Sequence, residues 1–384
     1  MSLATLIAAI PLAIWIYLFF ARGNFWQVQE DNTDPAPLDL WPPIVAIVPA
    51  RNEAETIARS VISLVKQDYP GEFSVIVVDD HSDDGTAALA LQAAKEASAA
   101  GRVSVHSAAE LPPGWSGKVW AMNEGVRTAD KAPGFFWFTD ADIVHAPNTL
   151  RRLAVRAAAD SLDLVSLMVL LQAGTFPERL LIPPFLYFFL MLYPPRWIAD
   201  PESRTAGAAG GCILLRRAAL ERIGGLAAIR NEVIDDCALA RAVKRSAGKI
   251  WMGLTRASVS LRSYGSFSEI RDLIARTAFT QLRYSFFLLL AALLGLMVTY
   301  VLPLFSFFTG EDPAWFLAAT AICLMAVSFG VTVRFYNLRF LWALTLPVAA
   351  IFYACATCLS AARYWLGRGA QWKGRSQAPG KVQS

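Results

Sequence analysis

The chain has 384 residues, of which 55% are hydrophobic and only 17% are charged. This composition is too apolar for an ordinary soluble protein. The net charge of +4 is small, and the basic residues are scattered, so we expect no nucleic-acid partner. The five cysteines show no disulfide pattern, which suits a reducing compartment.

Four apolar blocks approach or exceed the ~20 residues that a membrane helix needs. They are 3–20, 284–308, 315–333 and 340–362. The first block lacks the charged start and the Ala-x-Ala site of a cleaved signal peptide, so segment 1–22 is predicted to be an N-terminal transmembrane anchor. We expect residues 285–362 to form three C-terminal membrane segments, and the basic tail, 363–384, to be disordered.

Residues 42–265 have the composition of a globular domain, in which strand patterns alternate with helix patterns. Polar residues follow each strand. This alternation predicts an α/β fold with a mostly parallel sheet that binds its ligand at the carboxyl edge. The predicted strands are 44–48, 75–78, 103–105 and 135–138, and the predicted helices begin near Ile57, Lys118 and Leu150.

The aromatic strand 135–138 ends in the acidic motif Asp140-Ala141-Asp142. Residues two apart on an extended chain point the same way, so the two carboxylates favour a divalent cation, Mg²⁺ or Mn²⁺, that can also hold a diphosphate. A solvated acidic loop is the alternative for this motif alone. The chain lacks the glycine-rich dinucleotide fingerprint and the Gly-Lys-Ser/Thr phosphate loop, which favours cation bridging of a diphosphate.

Five motifs resemble those of the family 2 glycosyltransferases, and they occur in the family's order over about residues 45–248. The resemblance implies a GT-A type nucleotide-diphospho-sugar transferase fold. The motifs are Pro49-Ala50-Arg51-Asn52-Glu53, Val78-Asp79-Asp80 with Asp84-Gly85-Thr86, Gly117-Lys118, Asp140-Ala141-Asp142, and Asp235-Asp236-Cys237-Ala238-Leu239 preceded by Gly224-Gly225.

Within that family the chain is most similar to the hopene-associated glycosyltransferases, which are relatives of the ceramide glucosyltransferases. This closer resemblance depends on residues 166–192, the Asp235-Asp236-Cys237 motif, residues 278–285 and the pattern of one anchor plus three. Processive and ceramide-type relatives carry Gln/Arg-x-x-Arg-Trp after the catalytic base. Here Thr280-Gln281-Leu282-Arg283-Tyr284 keeps only the arginine, which favours transfer of a single sugar.

The resemblance also implies a role for each motif. Asp236 is the candidate base for the acceptor hydroxyl, with Asp235 beside it, and Asp140 and Asp142 carry the metal. Helix capping is the alternative for the Asp235-Asp236 pair, and a solvated surface position is the alternative for Lys118. Nucleotide-sugar contacts are assigned to Pro49, Ala50, Arg51, Glu53, Asp80, Lys118 and Asp140, and acceptor-side positions to Gly210, Gly211 and Arg283. His145 is predicted to be a turn residue rather than a metal ligand.

Two further segments are predicted to lie at a membrane interface. Segment 180–198 is apolar but interrupted by four prolines, and segment 266–284 has an amphipathic helix pattern. Core packing is the alternative for both. The arginines of 266–284 favour the cytoplasmic side. Strict alternation of the three later blocks would place the basic tail outside, so either the last block is re-entrant or the tail breaks the rule.

The leading functional hypothesis is a metal-dependent inverting glycosyltransferase in the bacterial inner membrane, with a cytosolic catalytic domain. It transfers one sugar from a nucleotide-sugar donor, with UDP expected as the nucleotide, to a lipid acceptor. The resemblance alone implies a hopanoid as that lipid. A polyprenyl-phosphate glycosyltransferase and a non-catalytic scaffold of a hopanoid assembly are the alternatives.

Overall fold

The structure is a computed structural model that describes residues 2–28, 30, 38–129, 133–368, 371–372 and 375–376. These residues divide into two compact units. The helical unit comprises 2–28, 173–196 and 263–368. The sheet unit comprises the other described residues. Most of the predicted basic tail, 363–384, lies outside the described residues.

The sheet unit is built on one eight-stranded sheet with the order β3-β2-β1-β4-β7-β6-β8-β5. Strand β1 pairs in parallel with β2 and β4, β2 with β3, and β6 with β8, whereas β7 and β5 are antiparallel to their neighbours. A separate short pair, β9 and β10, is antiparallel. The strands are β1 (Ile44–Ala50), β2 (Phe73–Asp79), β3 (Val103–Ser107), β4 (Phe135–Phe138), β5 (Ile143–His145), β6 (Leu164–Leu170), β7 (Ile213–Arg216), β8 (Ile250–Ser260), β9 (Gln371–Trp372) and β10 (Arg375–Ser376).

Helices separate most of the strands and also form the helical unit. In chain order they are α1 (Leu3–Phe20), α2 (Ile57–Val65), α3 (Thr86–Glu96), α4 (Gly117–Thr128), α5 (Thr149–Ala159), α6 (Phe176–Leu192), α7 (Pro195–Ala199), α8 (Arg217–Arg222), α9 (Asp235–Arg245), α10 (Phe267–Gln281), α11 (Phe286–Leu296), α12 (Leu302–Thr309), α13 (Ala314–Phe335) and α14 (Leu346–Trp365). A π-helical turn, Met297–Val301, joins α11 to α12.

The central strands are buried along their whole length, which explains why their sequences are continuous apolar runs. All residues of β1 and of β4 are buried. Both faces of a parallel sheet are covered by helices, so neither face needs polar side chains. Each predicted strand is present, and the mostly parallel α/β prediction is confirmed.

Trp137 anchors the core behind the predicted acidic motif. Its ring is fully buried, packs 6.1 Å from the ring of Phe73, and donates its indole N–H to Cys212 Sγ at 3.3 Å. The tryptophan therefore has the polar partner that a buried indole requires. Strand β4, which leads directly to Asp140, is thereby fixed against its neighbours.

The helical unit contains four segments that are long and apolar enough to cross a membrane: Leu3–Phe20, Phe286–Thr309, Ala314–Phe335 and Phe340–Trp365. They coincide with the four apolar blocks of the sequence. Helix α1 packs against the π-helical turn, where Trp15 donates its indole N–H to the Thr299 carbonyl at 2.8 Å.

Helix α6 continues through the first two prolines of segment 180–198, Pro183 and Pro184. A capping box begins this helix: the Thr175 hydroxyl accepts from Glu178 N–H, and Glu178 accepts from Thr175 N–H. Many of its side chains are buried; Tyr187, for example, shares a 2.8 Å hydrogen bond with Ser328. An interfacial position for α6 and α10 stays a prediction.

Close packing of α4 on β1 provides a test of the sheet unit. A Cβ atom at Gly125 would lie 2.5 Å from Ile47 Cγ2, inside van der Waals contact. We expect Gly125→Val to destabilise the protein by about 1–3 kcal/mol through overpacking. The thermal midpoint of the detergent-solubilised chain measures this. Gly101→Ala is the control, since a Cβ there meets nothing within 4 Å; equal midpoints in the two variants would contradict the packing.

Candidate active site

The carboxyl ends of β2, β1 and β4 meet at one edge of the sheet because these three neighbours run parallel. This edge carries the first predicted donor residues. Pro49 and Ala50 are the last two residues of β1, and Asp80 follows β2 directly. The Ala50 side chain is fully buried, and its carbonyl accepts the Asp80 N–H at 2.8 Å. Ala50 therefore contacts Asp80 through its backbone carbonyl.

The loops after β1 and β2 are joined by side chains. The Arg51 guanidinium donates to the Asp80 carbonyl and lies 3.5 Å from Asp80 Oδ2. The Asp80 carboxylate is buried, and its Oδ1 lies 3.4 Å from His81 Nδ1. Glu53 donates its backbone N–H to Thr86 Oγ1 at 2.9 Å. The predicted nucleotide-binding residues Arg51, Glu53 and Asp80 therefore form one ordered cluster.

Lys118 connects two of the predicted acidic groups. Its ammonium nitrogen lies 2.8 Å from Asp140 Oδ1 and 3.4 Å from Asp235 Oδ2. Burial opposes the charged ammonium, but the nearby carboxylates of Asp140 and Asp235 outweigh it and raise the pKa of Lys118. The predicted alternative of a solvated surface lysine is wrong, because only 16% of this side chain is exposed.

A second cation, Arg262, holds the other acid of the motif. Arg262 Nε lies 3.4 Å from Asp142 Oδ2, and Arg262 Nη2 lies 3.3 Å from Glu53 Oε1. Burial and the Asp140 carboxylate raise the pKa of Asp142 to about 6, against the lowering effect of Arg262. The sequence analysis missed Arg262. It follows β8, far from the other motifs along the chain, and no local pattern marks it.

The residues fit a divalent cation only in part. Among the described residues, no group of three histidine, cysteine, aspartate or glutamate side chains is gathered for a metal. Asp140 and Asp142 nevertheless offer two carboxylates, and burial, followed by the Asp140 charge, raises the pKa of Asp142. Mg²⁺ is commonly held by one or two carboxylates together with substrate phosphates. The donor set therefore fits a cation that is completed by a diphosphate.

Asp236 lies in the first turn of α9, with both carboxylate oxygens engaged. Oδ2 accepts the Gly210 N–H at 2.9 Å, and Oδ1 accepts the Cys237 N–H at 2.7 Å. Burial, followed by the Asp235 carboxylate, raises the pKa of Asp236 to about 6, while Lys118 opposes this rise. Ile234 occupies the N-cap of α9 and makes no side-chain cap bond; Asp236 satisfies an amide of the first turn at Cys237, but the bond to Gly210 lies outside the helix and is not capping.

One pocket brings the donor-side and base-side residues together. Gly210 lies on its wall, whereas Gly211 supports it from behind by accepting the Thr139 hydroxyl through its carbonyl at 2.9 Å. Arg283 is an exposed residue of the helical unit, so it is not among the residues that the sheet unit gathers. The pocket is lined by Pro49, Lys118, Met122, Phe138, Thr139, Asp140, Gly210, Ile213, Asp235, Asp236 and Leu239.

His145 is a buried strand residue, so its predicted position in a turn is wrong. It ends β5, and its two ring nitrogens lie 2.8 Å from Thr139 Oγ1 and 2.8 Å from Ser258 Oγ. Burial lowers the pKa of His145 to about 3, which keeps the imidazole neutral. With both nitrogens bonded to hydroxyls, the ring braces the strand ends beneath the acidic motif.

The sheet and the pocket agree with a comparison against protein families. Residues 45–224, a little under half of the chain, match the model of the family described as glycosyl transferase family 2. A solved mannosyltransferase from Pyrobaculum calidifontis, in complex with GDP-Man and Mn²⁺, superposes with a TM-score of 0.60 at 19% identity. The alignment covers 95% of this chain and 100% of that one. The predicted GT-A type fold is confirmed.

A curated relative is an N-acetylglucosaminyltransferase from Mesorhizobium japonicum. It is 26% identical over 209 residues, which is 50% of this chain. The aligned part spans only 44% of the relative's own length. Comparison with the known proteins thus supports the family of the domain and its fold.

The close approach of Gly210 to two charged side chains leads to a test. A Cβ atom at this position would lie 3.1 Å from Lys118 Nζ and 3.5 Å from Asp236 Oδ2. We expect Gly210→Ala to displace the Lys118 ammonium by a few tenths of an ångström, because only the 3.1 Å approach is tighter than ordinary contact, and to lower turnover at least about 10-fold if the pocket is the active site. The thermal midpoint should change little. Gly101→Ala is again the control, and full turnover in Gly210→Ala would contradict the assignment.

Proposed function

We propose that the chain is a membrane-bound, metal-dependent inverting glycosyltransferase. It moves a single sugar from a nucleotide-diphosphate sugar to the hydroxyl of a lipid. The observation that carries this proposal is the single pocket lined by Asp140, Lys118 and Asp236. Such a pocket holds acids for a cation-bound diphosphate beside a carboxylate that can accept a proton.

Asp236 has the properties of a general base. Its raised pKa of about 6 lies near neutral pH, where a base combines a large ionised fraction with useful basicity. The N–H groups of Gly210 and Cys237 fix its orientation, and a carboxylate retains lone pairs beyond the two that they use. Removal of the acceptor proton by Asp236 supports direct attack on the anomeric carbon and inversion of its configuration.

The donor side is proposed to bind the nucleotide and its diphosphate. Asp80 and Arg51 are the candidates for the base and ribose, and Asp140 with Asp142 would hold the cation. A bound divalent ion supplies charge neutralisation for the departing nucleotide diphosphate. Lys118 already contacts Asp140, so its ammonium lies where it can add to this neutralisation.

The acceptor is proposed to be a lipid, and specifically a hopanoid. Four helices long and apolar enough to span a membrane support a lipid-soluble acceptor. The hopanoid follows from the resemblance of the chain to the hopene-associated enzymes. We place the protein in the bacterial inner membrane with the sheet unit in the cytosol, where nucleotide sugars are made. UDP-sugars are the first donors to test, with GDP-mannose second.

The pH dependence of turnover should report Asp236. The carboxylate accepts a proton only when ionised, so turnover should rise with pH through about 6 and level off above it. Asp236→Asn removes the base, and we expect a loss of about 10²- to 10⁴-fold in acceptor-dependent nucleotide release. Purified protein, divalent metal, labelled UDP-sugar and hopanoid extract make up the assay.

The Asp235→Asn variant shows whether the pH dependence belongs to Asp236 or to Asp142, the other acid whose pKa is raised to about 6. The Asp235 carboxylate raises the pKa of Asp236, whereas Asp142 is affected by Asp140, Arg262 and Glu53. The acid limb should therefore move to lower pH in Asp235→Asn if it belongs to Asp236. An unmoved limb would assign it to another group and would count against Asp236 as the base.

Metal binding gives a test that needs no turnover. We expect Asp140→Asn and Asp142→Asn each to weaken binding of Mn²⁺ plus UDP by at least about 10-fold, because each removes a proposed ligand. Electron paramagnetic resonance of free Mn²⁺ measures the affinity. Asp160→Asn is the matched control, since that acid pairs with Arg156 at the end of α5. Equal Mn²⁺ affinity in all three variants would contradict a metal site at Asp140 and Asp142.

The same variants distinguish the alternatives. A phosphate acceptor needs no strong base, so an intact rate in Asp236→Asn with polyprenyl phosphate would favour a polyprenyl-phosphate glycosyltransferase. A scaffold would release no nucleotide with any donor, although the purified chain is folded and metal is present. In that case Asp140→Ala would also leave the biological role of the protein unchanged.

A further inference from the structure

The C-terminal end of α14 lies beside the start of α11. The ring of Tyr364 stacks on that of Tyr284, with centroids 4.3 Å apart and planes inclined by 19°. The rings of Trp365 and Phe286 are 6.3 Å apart. Phe286 is the first residue of α11, and Trp365 is the last residue of α14. The first residue of α11 and the last residue of α14 therefore lie side by side.

Helix α14 also runs alongside α10 in the same direction. Near their beginnings, the rings of Phe267 and Phe352 are 6.1 Å apart. Further along, Ser360 Oγ donates to the Ala275 carbonyl at 2.5 Å and accepts the Phe279 N–H at 3.1 Å. Residues later in α10 contact residues later in α14, so the two helices run parallel and lie side by side over most of α10.

Helix α10 carries charges that do not suit the hydrocarbon core of a bilayer. Arg276 and Asp272 are exposed, and Asp272 Oδ1 lies 2.7 Å from Arg363 Nη2 of α14. Charged side chains at the bilayer centre are costly and rare. A helix with these residues suits an interface, and the C-terminal end of α14, which pairs with it through Arg363, suits the same interface.

Three successive crossings are incompatible with these contacts. Helix α13 turns back along α12, as shown by the 5.4 Å distance between the rings of Phe307 and Trp315. If α11–α12, α13 and α14 each crossed the membrane, Phe286 and Trp365 would lie on opposite faces. A hydrocarbon core about 30 Å thick would separate them. Their rings are in contact instead.

We infer that α14 does not complete a crossing of the bilayer but is re-entrant, with its C-terminal end at the interface of the leaflet from which α11 enters. This inference rests on the membrane association proposed above. The partner of this surface is the anionic headgroup layer of that leaflet. Exposed Arg283 and Arg368 flank exposed Trp365 and Phe287, the combination of basic and aromatic residues that favours a cytoplasmic interface. The last block is re-entrant, and Arg368 stays on the side of Arg283.

Sided cysteine labelling tests this arrangement. The exposed Cys323, Cys355 and Cys358 are replaced by alanine, while the buried Cys212 and Cys237 are retained. Arg276→Cys, Arg368→Cys and Glu311→Cys are then introduced one at a time. A membrane-impermeant maleimide is applied to spheroplasts and to inverted membrane vesicles. Position 311 is the matched control, because it lies in the turn between α12 and α13.

We expect positions 276 and 368 to label only in inverted vesicles and position 311 only in spheroplasts. Labelling of 368 from the side of 311, opposite to 276, would restore a third crossing and overturn the inference. Labelling of all three positions in both preparations, with release of the protein by alkaline carbonate, would overturn the membrane association itself. Carbonate extraction therefore distinguishes failure of the topology from failure of the proposed function.

A second measurement leaves the native cysteines in place. Green fluorescent protein or alkaline phosphatase is fused to the C-terminus of the full chain and expressed in a bacterial host. A C-terminus on the cytoplasmic side should give a fluorescent first fusion and an inactive second one. Active phosphatase with a dark fluorescent-protein fusion would contradict the re-entrant helix.

Discussion

The sheet unit is organised by the need to balance carboxylates that its parallel strands bring to one edge. Two cations meet this need. Lys118 lies between Asp140 and Asp235, and Arg262 lies between Asp142 and Glu53. Unpaired acids at such distances would repel one another and take up protons. Burial, and then the Asp140 carboxylate, raise the pKa of Asp142 even beside Arg262, and a bound cation would oppose both effects.

A neutral network supports the charged one from beneath. Thr139 bonds both His145 and the carbonyl of Gly211, and His145 also bonds Ser258. These contacts join the end of β4 to β5, β8 and the segment before β7, so the residue before Asp140 has little freedom. Buried polar networks are stable when every member is satisfied. Here both ring nitrogens of the histidine are used, which explains why it is unsuited to metal binding.

The sequence predicts the parts of this structure that local patterns encode. Continuous apolar runs identify β1 and β4, and the spacing of Asp140 and Asp142 predicts an acidic edge, where the structure pairs both side chains with basic residues. Arg262 and the His145 network depend on contacts between segments distant in the chain, so no local pattern reveals them. Helix α6 shows a third limit. Proline disfavours helix interiors, but burial of the surrounding side chains outweighs that preference at Pro183 and Pro184.

If α14 does not complete a crossing, as we infer, the helical unit illustrates why hydropathy alone cannot count membrane crossings. Phe340–Trp365 has the length and composition of a span, as Ala314–Phe335 does. What differs is the neighbour. Helix α14 packs along α10, a helix with exposed charges, and its Arg363 pairs with Asp272. An apolar helix is drawn to the bilayer, but a charged partner at its side fixes the depth that it can reach. Length permits a crossing, and packing decides whether it occurs.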